Sequence, residues 1–187
     1  GIHLKYGIAP DIAVFAKALS NGFPMAAIIG NSAVMEASQR TFISSTYWTE
    51  GIGPAAALAT LQRLQEVDAV ARIHATGERV RDIWRETATA HQLPVKVGGL
   101  PALATLAFEL GDESRAYMTL FTQEMLAEGF LSNSSFYATC AHTTEDLARY
   151  ADAVNRVLAK LVATRARGSV QQDLHGPVAH SGFARLT

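Results

Sequence analysis

Lys17 is the residue of this sequence whose side chain offers the clearest chemistry. It follows an apolar run that begins at Ile12, and it precedes the segment SNGFP at residues 20–24. The pattern predicts a buried strand that runs into a turn, with the lysine at the junction. Burial lowers the pKa of a lysine, and the resulting neutral amine attacks carbonyl groups and forms Schiff bases. Lys17 is therefore a candidate nucleophile.

The alternative for Lys17 is that its side chain extends from the end of a strand into water, as lysines beside apolar surface commonly do. The residues themselves leave both interpretations open. The turn at 20–24 supplies a glycine and short polar side chains directly after the lysine. Such residues allow the backbone to approach a bound group closely. The segment is therefore able to hold a cofactor.

Three neighbouring hydroxyl residues, Ser44, Ser45 and Thr46, form a second candidate group. They lead through two aromatic residues to Pro54 and an alanine-rich run. Proline is favoured in the first turn of a helix, so the pattern predicts a loop that enters a helix. Hydroxyls and free backbone N–H groups at such a place can bind an anion, including a phosphate. A cap with a purely structural role is the alternative.

Three segments together resemble a known family: FAKALSNGFP, TFISSTYWTE and AHTTEDL. In this order and at these separations they resemble the second half of a fold-type I, class III aminotransferase dependent on pyridoxal phosphate. Within that class they are most similar to glutamate-1-semialdehyde 2,1-aminomutase and its aminotransferase relatives. The resemblance runs over nearly the whole chain and implies an α/β fold.

The resemblance also implies roles for the candidate residues. Lys17 would hold pyridoxal 5'-phosphate as an internal aldimine and move the proton of the amino substrate. Thr46, with Ser45 beside it, would contact the cofactor phosphate of the neighbouring subunit, which makes a homodimer with the site at its interface the functional unit. The family more often has a Gly-Asn-Pro turn after this threonine, whereas residues 47–51 intervene here.

Two reactions are compatible with the resemblance. One is transamination between a small amino substrate and a keto substrate, and the other is the intramolecular amino transfer of the aminomutase, an isomerisation. A non-catalytic paralogue or remnant that keeps only the fold is the alternative from another class. The lysine favours an enzyme, because a protein without catalysis has no need of a buried amine. A lysine Schiff-base enzyme without pyridoxal phosphate is a further alternative.

The predicted domain organisation follows from a change in pattern near Asp68. Residues 1–67 are expected to be the C-terminal part of the large cofactor-binding domain. Residues 68–166 alternate helices and strands and are expected to form a small C-terminal α/β domain. Residues 167–187 contain glycine and proline without periodicity and read as an irregular tail. The resemblance implies that an N-terminal half completes the site, so we expect the chain alone to be incomplete and prone to aggregation.

Local patterns predict the elements of the second part. Asp68 is expected to cap a helix that runs to about His91, and Asp112 is expected to cap a second one. Thr143 and Asp146 have the spacing of a capping box at the start of a long amphipathic helix. Alternating residues predict strands around 95–97 and 103–110, with short strands near 130–131 and 136–139.

Composition excludes several classes of function. A formal net charge of -1 gives no electrostatic basis for binding nucleic acid or an anionic membrane. No apolar run approaches the ~20 residues that cross a bilayer. A single cysteine, Cys140, excludes an internal disulfide and fits a cytoplasmic location. Neither Cys140 nor His142 has the spacing of a metal site, and His142 is expected to be a structural hydrogen-bond partner.

Overall fold

The computed structural model describes residues 1–180 and 182. The chain divides into two compact units between Ala69 and Val70. Each unit has its own secondary structure and is described separately below. The assignment of the two parts to a large cofactor-binding domain and a small C-terminal domain stays a prediction.

The first unit is built on a two-stranded antiparallel sheet. Strand β1 (Ile12–Phe15) pairs with β2 (Ala27–Gly30), so that Ile12 lies opposite Gly30. The apolar run at residues 25–29 predicts a second buried strand, and its short connection to the first predicts antiparallel pairing. The antiparallel pairing is confirmed. The other elements of the unit are helices α1 (Ile2–Lys5), α2 (Ser32–Met35) and α3 (Ile52–Glu66) and two 3-10 segments, Lys17–Leu19 and Glu36–Arg40.

The predicted burial of these strands is wrong in this chain. Val14 is 66% exposed, and Ile28 and Ile29 of β2 are 60% and 57% exposed. A two-stranded sheet cannot bury both of its faces, because burial needs a second packed layer. Within the described residues, that layer does not cover β1 and β2. The apolar composition of the strands therefore does not translate into a buried environment here.

The second unit contains a three-stranded antiparallel sheet and three long helices. Its strand order is β3-β4-β5, with each strand hydrogen-bonded to the next. The elements are α4 (Ala69–Ala90), β3 (Val95–Leu100), β4 (Leu103–Phe108), α5 (Ser114–Ala127), β5 (Ser135–Tyr137) and α6 (Thr144–Arg167). This arrangement is the predicted alternation of helices and strands.

Two local predictions for the second unit are wrong. Residues 130–131 do not form a strand, and the Phe130 ring instead packs edge-on against Tyr150, with ring centroids 5.5 Å apart. Asp112 does not cap α5, since it lies within a 3-10 turn (Gly111–Glu113). The Ser114 hydroxyl closes that turn by accepting the Leu110 N–H at 2.9 Å and donating to the Gly111 carbonyl.

The core of the second unit lies between the sheet and its helices. Trp84 of α4, Phe121 of α5 and Leu158 of α6 are all at most 2% exposed. The Trp84 indole N–H donates to the Tyr150 hydroxyl at 2.9 Å, so the core also holds a buried polar pair. Burial raises the pKa of Tyr150, so its hydroxyl stays protonated at neutral pH.

The ends of α6 are fixed by specific contacts. The predicted capping box at its start is confirmed, because Thr143 and Asp146 bond each other's backbone N–H groups at 3.1 Å and 3.0 Å. After α6, a 3-10 segment (Val170–Asp173) returns along the unit with Val170 fully buried. Residues 181 and 183–187 of the predicted irregular tail lie outside the described residues.

Candidate active site

Lys17 is separated from the end of strand β1 by one residue, Ala16, whose backbone is extended. It has a φ of 56°, in the left-handed region of the backbone. This conformation costs a residue with a Cβ about 1–3 kcal/mol, and such residues occur preferentially at functional sites. The Lys17 side chain is exposed, and none of the ion pairs formed within the described residues includes it. The prediction that Lys17 is buried is wrong in this chain because β1 is not covered.

The turn that follows the lysine is closed by one buried hydroxyl. Ser20 is 1% exposed, and its hydroxyl donates to the Phe23 carbonyl oxygen. The Phe23 N–H in turn donates to the Ser20 carbonyl at 3.3 Å. Asn21 and Gly22 both have positive φ angles, which their residue types tolerate. The sequence SNGFP therefore forms a tight turn that fixes the backbone directly after Lys17.

The predicted hydroxyl residues lie in an exposed loop before α3. The Ser45 hydroxyl accepts the Tyr47 N–H at 3.2 Å, so this serine has a local structural role. Thr46 begins a turn that extends to Thr49, and both threonines are exposed. The loop thus presents two threonine hydroxyls near the start of α3, whereas the sequence interpretation considered only the first.

Glu50 is a site residue that the sequence interpretation missed. Its carboxylate accepts the N–H groups of Ile52 and Gly53, the latter at 3.0 Å, and its own N–H donates to the Tyr47 carbonyl at 3.1 Å. These two N–H groups at the start of α3 are therefore bonded within the chain and are not free for an external anion. An acidic residue directly before a predicted helix was the available signal.

A cavity of about 340 Å³ joins the segment after the lysine turn to the loop before α3. Its lining residues are Phe23, Pro24, Tyr47, Glu50, Ile52 and Gly53. A Cβ built on Gly53 would lie 2.9 Å from the Pro24 carbonyl oxygen, so only glycine allows this approach. The structure brings together the neighbours of the candidate residues. Lys17, Ser45 and Thr46 themselves do not line the cavity.

Other candidate chemistry in the chain is structural. His142 accepts the Thr139 N–H on Nδ1 at 3.1 Å, as expected for a structural hydrogen-bond partner. Within residues 1–180 and 182, no group of three or more histidine, cysteine, aspartate or glutamate residues is placed to hold a metal ion. None of the helices described is both long enough and apolar enough to span a bilayer.

Comparison with known proteins identifies the class of protein that this fold and these motifs define. The chain belongs to the class III aminotransferase family, whose model matches residues 2–164. The predicted family resemblance is thereby confirmed.

Characterised relatives and solved structures agree with this assignment. The chain is 31% identical over 159 residues to 2'-deamino-2'-hydroxyneamine transaminase of Streptomyces kanamyceticus, covering 82% of this chain and 40% of that protein. It is 26% identical over 169 residues to glutamate-1-semialdehyde 2,1-aminomutase of Methanosarcina acetivorans, with coverage of 82% and 40%.

The fold matches a structure of the PLP internal aldimine form of the FumI protein from Sphingopyxis sp. MTA144. The TM-score is 0.79 at 22% identity, and the match covers 88% of this chain and 40% of that one. The predicted α/β fold of a fold-type I transferase is confirmed. The chain spans about 40% of the length of the relatives it matches.

Proposed function

We propose that the protein containing this chain is an aminotransferase that uses pyridoxal 5'-phosphate and that Lys17 is its catalytic residue. The observation that carries the proposal is the placement of Lys17, an exposed amine held in the left-handed region between β1 and a closed turn. The family membership of the chain and the PLP named for the Sphingopyxis structure support it.

The residues present fit this cofactor chemically. Its aldehyde requires an accessible primary amine, and the Lys17 side chain is exposed and free of the ion pairs seen in the described residues. Its phosphate requires hydrogen-bond donors, and the exposed hydroxyls of Thr46 and Thr49 supply them. The N–H groups at the start of α3 are not needed for this role, because the Glu50 carboxylate already accepts them. When bound, the cofactor supplies an electron sink for the substrate's α-carbon.

The chain's own residues then carry three roles. Lys17 would hold the cofactor through its Nζ atom, and the same nitrogen would accept the proton of the substrate α-carbon. Thr46 contacts the cofactor phosphate of a neighbouring subunit in a homodimer. Ser45 shapes the loop through its bond to the Tyr47 N–H and belongs to the same phosphate-contact segment.

Two substitutions in the loop before α3 test which threonine contacts the phosphate. Thr46→Val and Thr49→Val each remove one hydroxyl and keep the side-chain volume. Loss of one hydrogen bond to a charged group lowers affinity by about tenfold. We expect this loss of affinity for pyridoxal phosphate, measured by absorbance titration, in Thr46→Val. A loss in Thr49→Val alone would move the contact to Thr49.

Two reactions follow from this site. In the first, an amino group passes from one small-molecule substrate to a second, keto substrate. In the second, as the names of relatives such as the Methanosarcina aminomutase indicate, both amino positions belong to one molecule and the net reaction is an isomerisation. We propose the first as the main function, because the Streptomyces relative is named a transaminase. We also propose that the enzyme is cytoplasmic.

The first experiment compares absorbance spectra of the intact protein with pyridoxal phosphate. A visible band is expected in the unchanged protein and in the control Lys5→Ala, which removes another exposed lysine of the first unit. The band should be absent in Lys17→Ala. A band that survives in a folded Lys17→Ala protein, or the lack of a band in the unchanged protein, would refute the proposal. A non-catalytic relative predicts the second outcome.

A second experiment separates the two reactions. The loaded protein is incubated with an amino substrate and no keto acceptor, and the products are identified by NMR spectroscopy. A transaminase stops after one equivalent of keto product per site, whereas an aminomutase continues to convert its substrate into an isomer of the same mass. Continued isomer formation would assign the second reaction.

A further inference from the structure

A separate groove on the second unit goes beyond this proposed function. Its volume is about 680 Å³, within the usual range of small-molecule sites. One wall is a face of α4, and the other is the loop after β5 with the first turn of α6. Arg72, Ala75, Thr76 and Arg79 line it from α4, and His142 and Thr143 line it from the opposite wall.

The two arginines among the residues that line the groove give the lining a positive charge. Arg72 and Arg79 are seven residues apart on α4, which places them two turns apart on one face, with about 10 Å between their Cα atoms. Ala75 and Thr76 lie between them, so small side chains form the floor. Among the described residues that line the groove, there is no carboxylate. A cleft lined by one sign of charge concentrates ligands of the opposite sign.

Both guanidinium groups are available to a ligand. None of the ion pairs formed within residues 1–180 includes Arg72. Arg79 contacts Glu86 at 3.3 Å, but the two side chains are 51% and 67% exposed. An exposed pair of this kind contributes little and exchanges readily. Two planar guanidinium groups, each able to bind a carboxylate or phosphate through two N–H donors, are therefore accessible to a ligand in the groove.

The opposite wall adds donors, and neither acidic residue of the first turn of α6, Glu145 or Asp146, lines the groove. His142 accepts a backbone N–H on Nδ1, so its neutral ring carries its proton on Nε2 and is a donor there. The Asp146 carboxylate, one turn into α6, is bound by the N–H of Thr143 at 3.0 Å and by its hydroxyl at 2.7 Å. These bonds engage the carboxylate in the capping box and hold its pKa below the usual range.

We propose that this groove binds a small anion with two negatively charged groups, phosphates or carboxylates, one on each of Arg72 and Arg79. The spacing of the two guanidinium groups distinguishes such a ligand from a monoanion, which engages only one of them fully. The small residues between them leave room for the part of the ligand that links the two anionic groups. No residue of the proposed aminotransferase site takes part.

Isothermal titration calorimetry on the intact protein tests this site. The probes are inorganic pyrophosphate and adipate, which each carry two anionic groups, and orthophosphate, which carries one, all in the presence of pyridoxal phosphate to occupy phosphate contacts elsewhere. At least one of the two-group anions should bind more tightly than orthophosphate. Loss of a charge-assisted contact predicts about tenfold weaker binding in Arg72→Gln and in Arg79→Gln. The comparison of the two probes identifies the preferred anionic group.

Matched controls separate this proposal from the proposed enzyme function. Arg85→Gln changes an arginine of the same helix that pairs with Asp82 at 3.0 Å and does not line the groove, so it should leave the affinity unchanged. Lys17→Ala should also bind the two-group anion normally, even if pyridoxal phosphate does not bind to the protein. Equal binding by an Arg72→Gln/Arg79→Gln double variant, or no binding of either two-group anion at millimolar concentration, would overturn the proposal.

Discussion

Replacing Tyr150 by phenylalanine tests the buried polar pair of the second unit. The change removes only the hydroxyl that accepts the Trp84 indole N–H at 2.9 Å and lies 3.1 Å from the Ser132 hydroxyl. Trp84 is 1% exposed, so water cannot replace the lost acceptor. A buried donor without a partner costs about 1–3 kcal/mol. The ring and its edge contact with Phe130 remain, so no cavity adds to this cost.

The expected loss for Tyr150→Phe is therefore about 2 kcal/mol in the free energy of unfolding. Urea unfolding of the intact protein, followed by far-UV circular dichroism, should show a lower midpoint with an unchanged slope. Tyr137→Phe is the matched control, because Tyr137 is 68% exposed and should change the free energy by less than about 0.5 kcal/mol.

A double-mutant cycle completes this test. In a Trp84→Phe background the indole donor is absent, so Tyr150→Phe should cost clearly less there than in the unchanged protein. The structural reasoning would be refuted if the folded Tyr150→Phe protein lost less than about 0.5 kcal/mol, or if both backgrounds gave the same loss.

Three further predictions concern other contacts. Glu50→Ala removes the carboxylate at the start of α3 and should cost about 1 kcal/mol in urea unfolding, with no change if the carboxylate is dispensable. Gly53→Ala places a Cβ 2.9 Å from the Pro24 carbonyl and should cost about 1–3 kcal/mol, whereas a neutral result would mean that the loop relaxes freely. Hydrogen bonding from Thr164 lowers the pKa of the Asp173 carboxyl. The ionised carboxylate therefore stabilises the folded protein above the ordinary carboxyl pKa, and this stabilisation is lost as pH falls through the lowered pKa of the folded state. Unfolding midpoints measured down to pH 2 should therefore depend less on pH in Asp173→Asn, and an unchanged pH profile would contradict this assignment.

Local sequence signals predicted the local structure well. Thr143 and Asp146 form the expected capping box, because both partners lie within one turn and need no distant residue. The antiparallel pairing of β1 and β2 also followed from a short connection between two apolar runs. In each case the interaction that fixes the structure is encoded within about 20 residues.

Burial could not be predicted in the same way. The apolar pattern around Val14 indicates a strand, but whether that strand is covered depends on a second layer that the pattern does not specify. Val14 is 66% exposed, and Lys17 after it is exposed as well.

The role of Glu50 was missed for a different reason. Its residue type was compatible with a solvated surface position, and only the backbone path of the loop brings its carboxylate back to the Ile52 and Gly53 N–H groups. The hydroxyl of Ser45 likewise proved to be occupied by the local backbone. Both outcomes depend on loop geometry, which residue spacing alone does not determine.

The left-handed backbone at Lys17 has a consequence for protein engineering. Glycine adopts a φ of 56° without the steric cost that a Cβ imposes, so stability-guided redesign would favour Lys17→Gly. That change would remove the only side-chain amine at the end of β1. A screen that ranks variants of this chain by melting temperature alone would therefore select against the proposed chemistry.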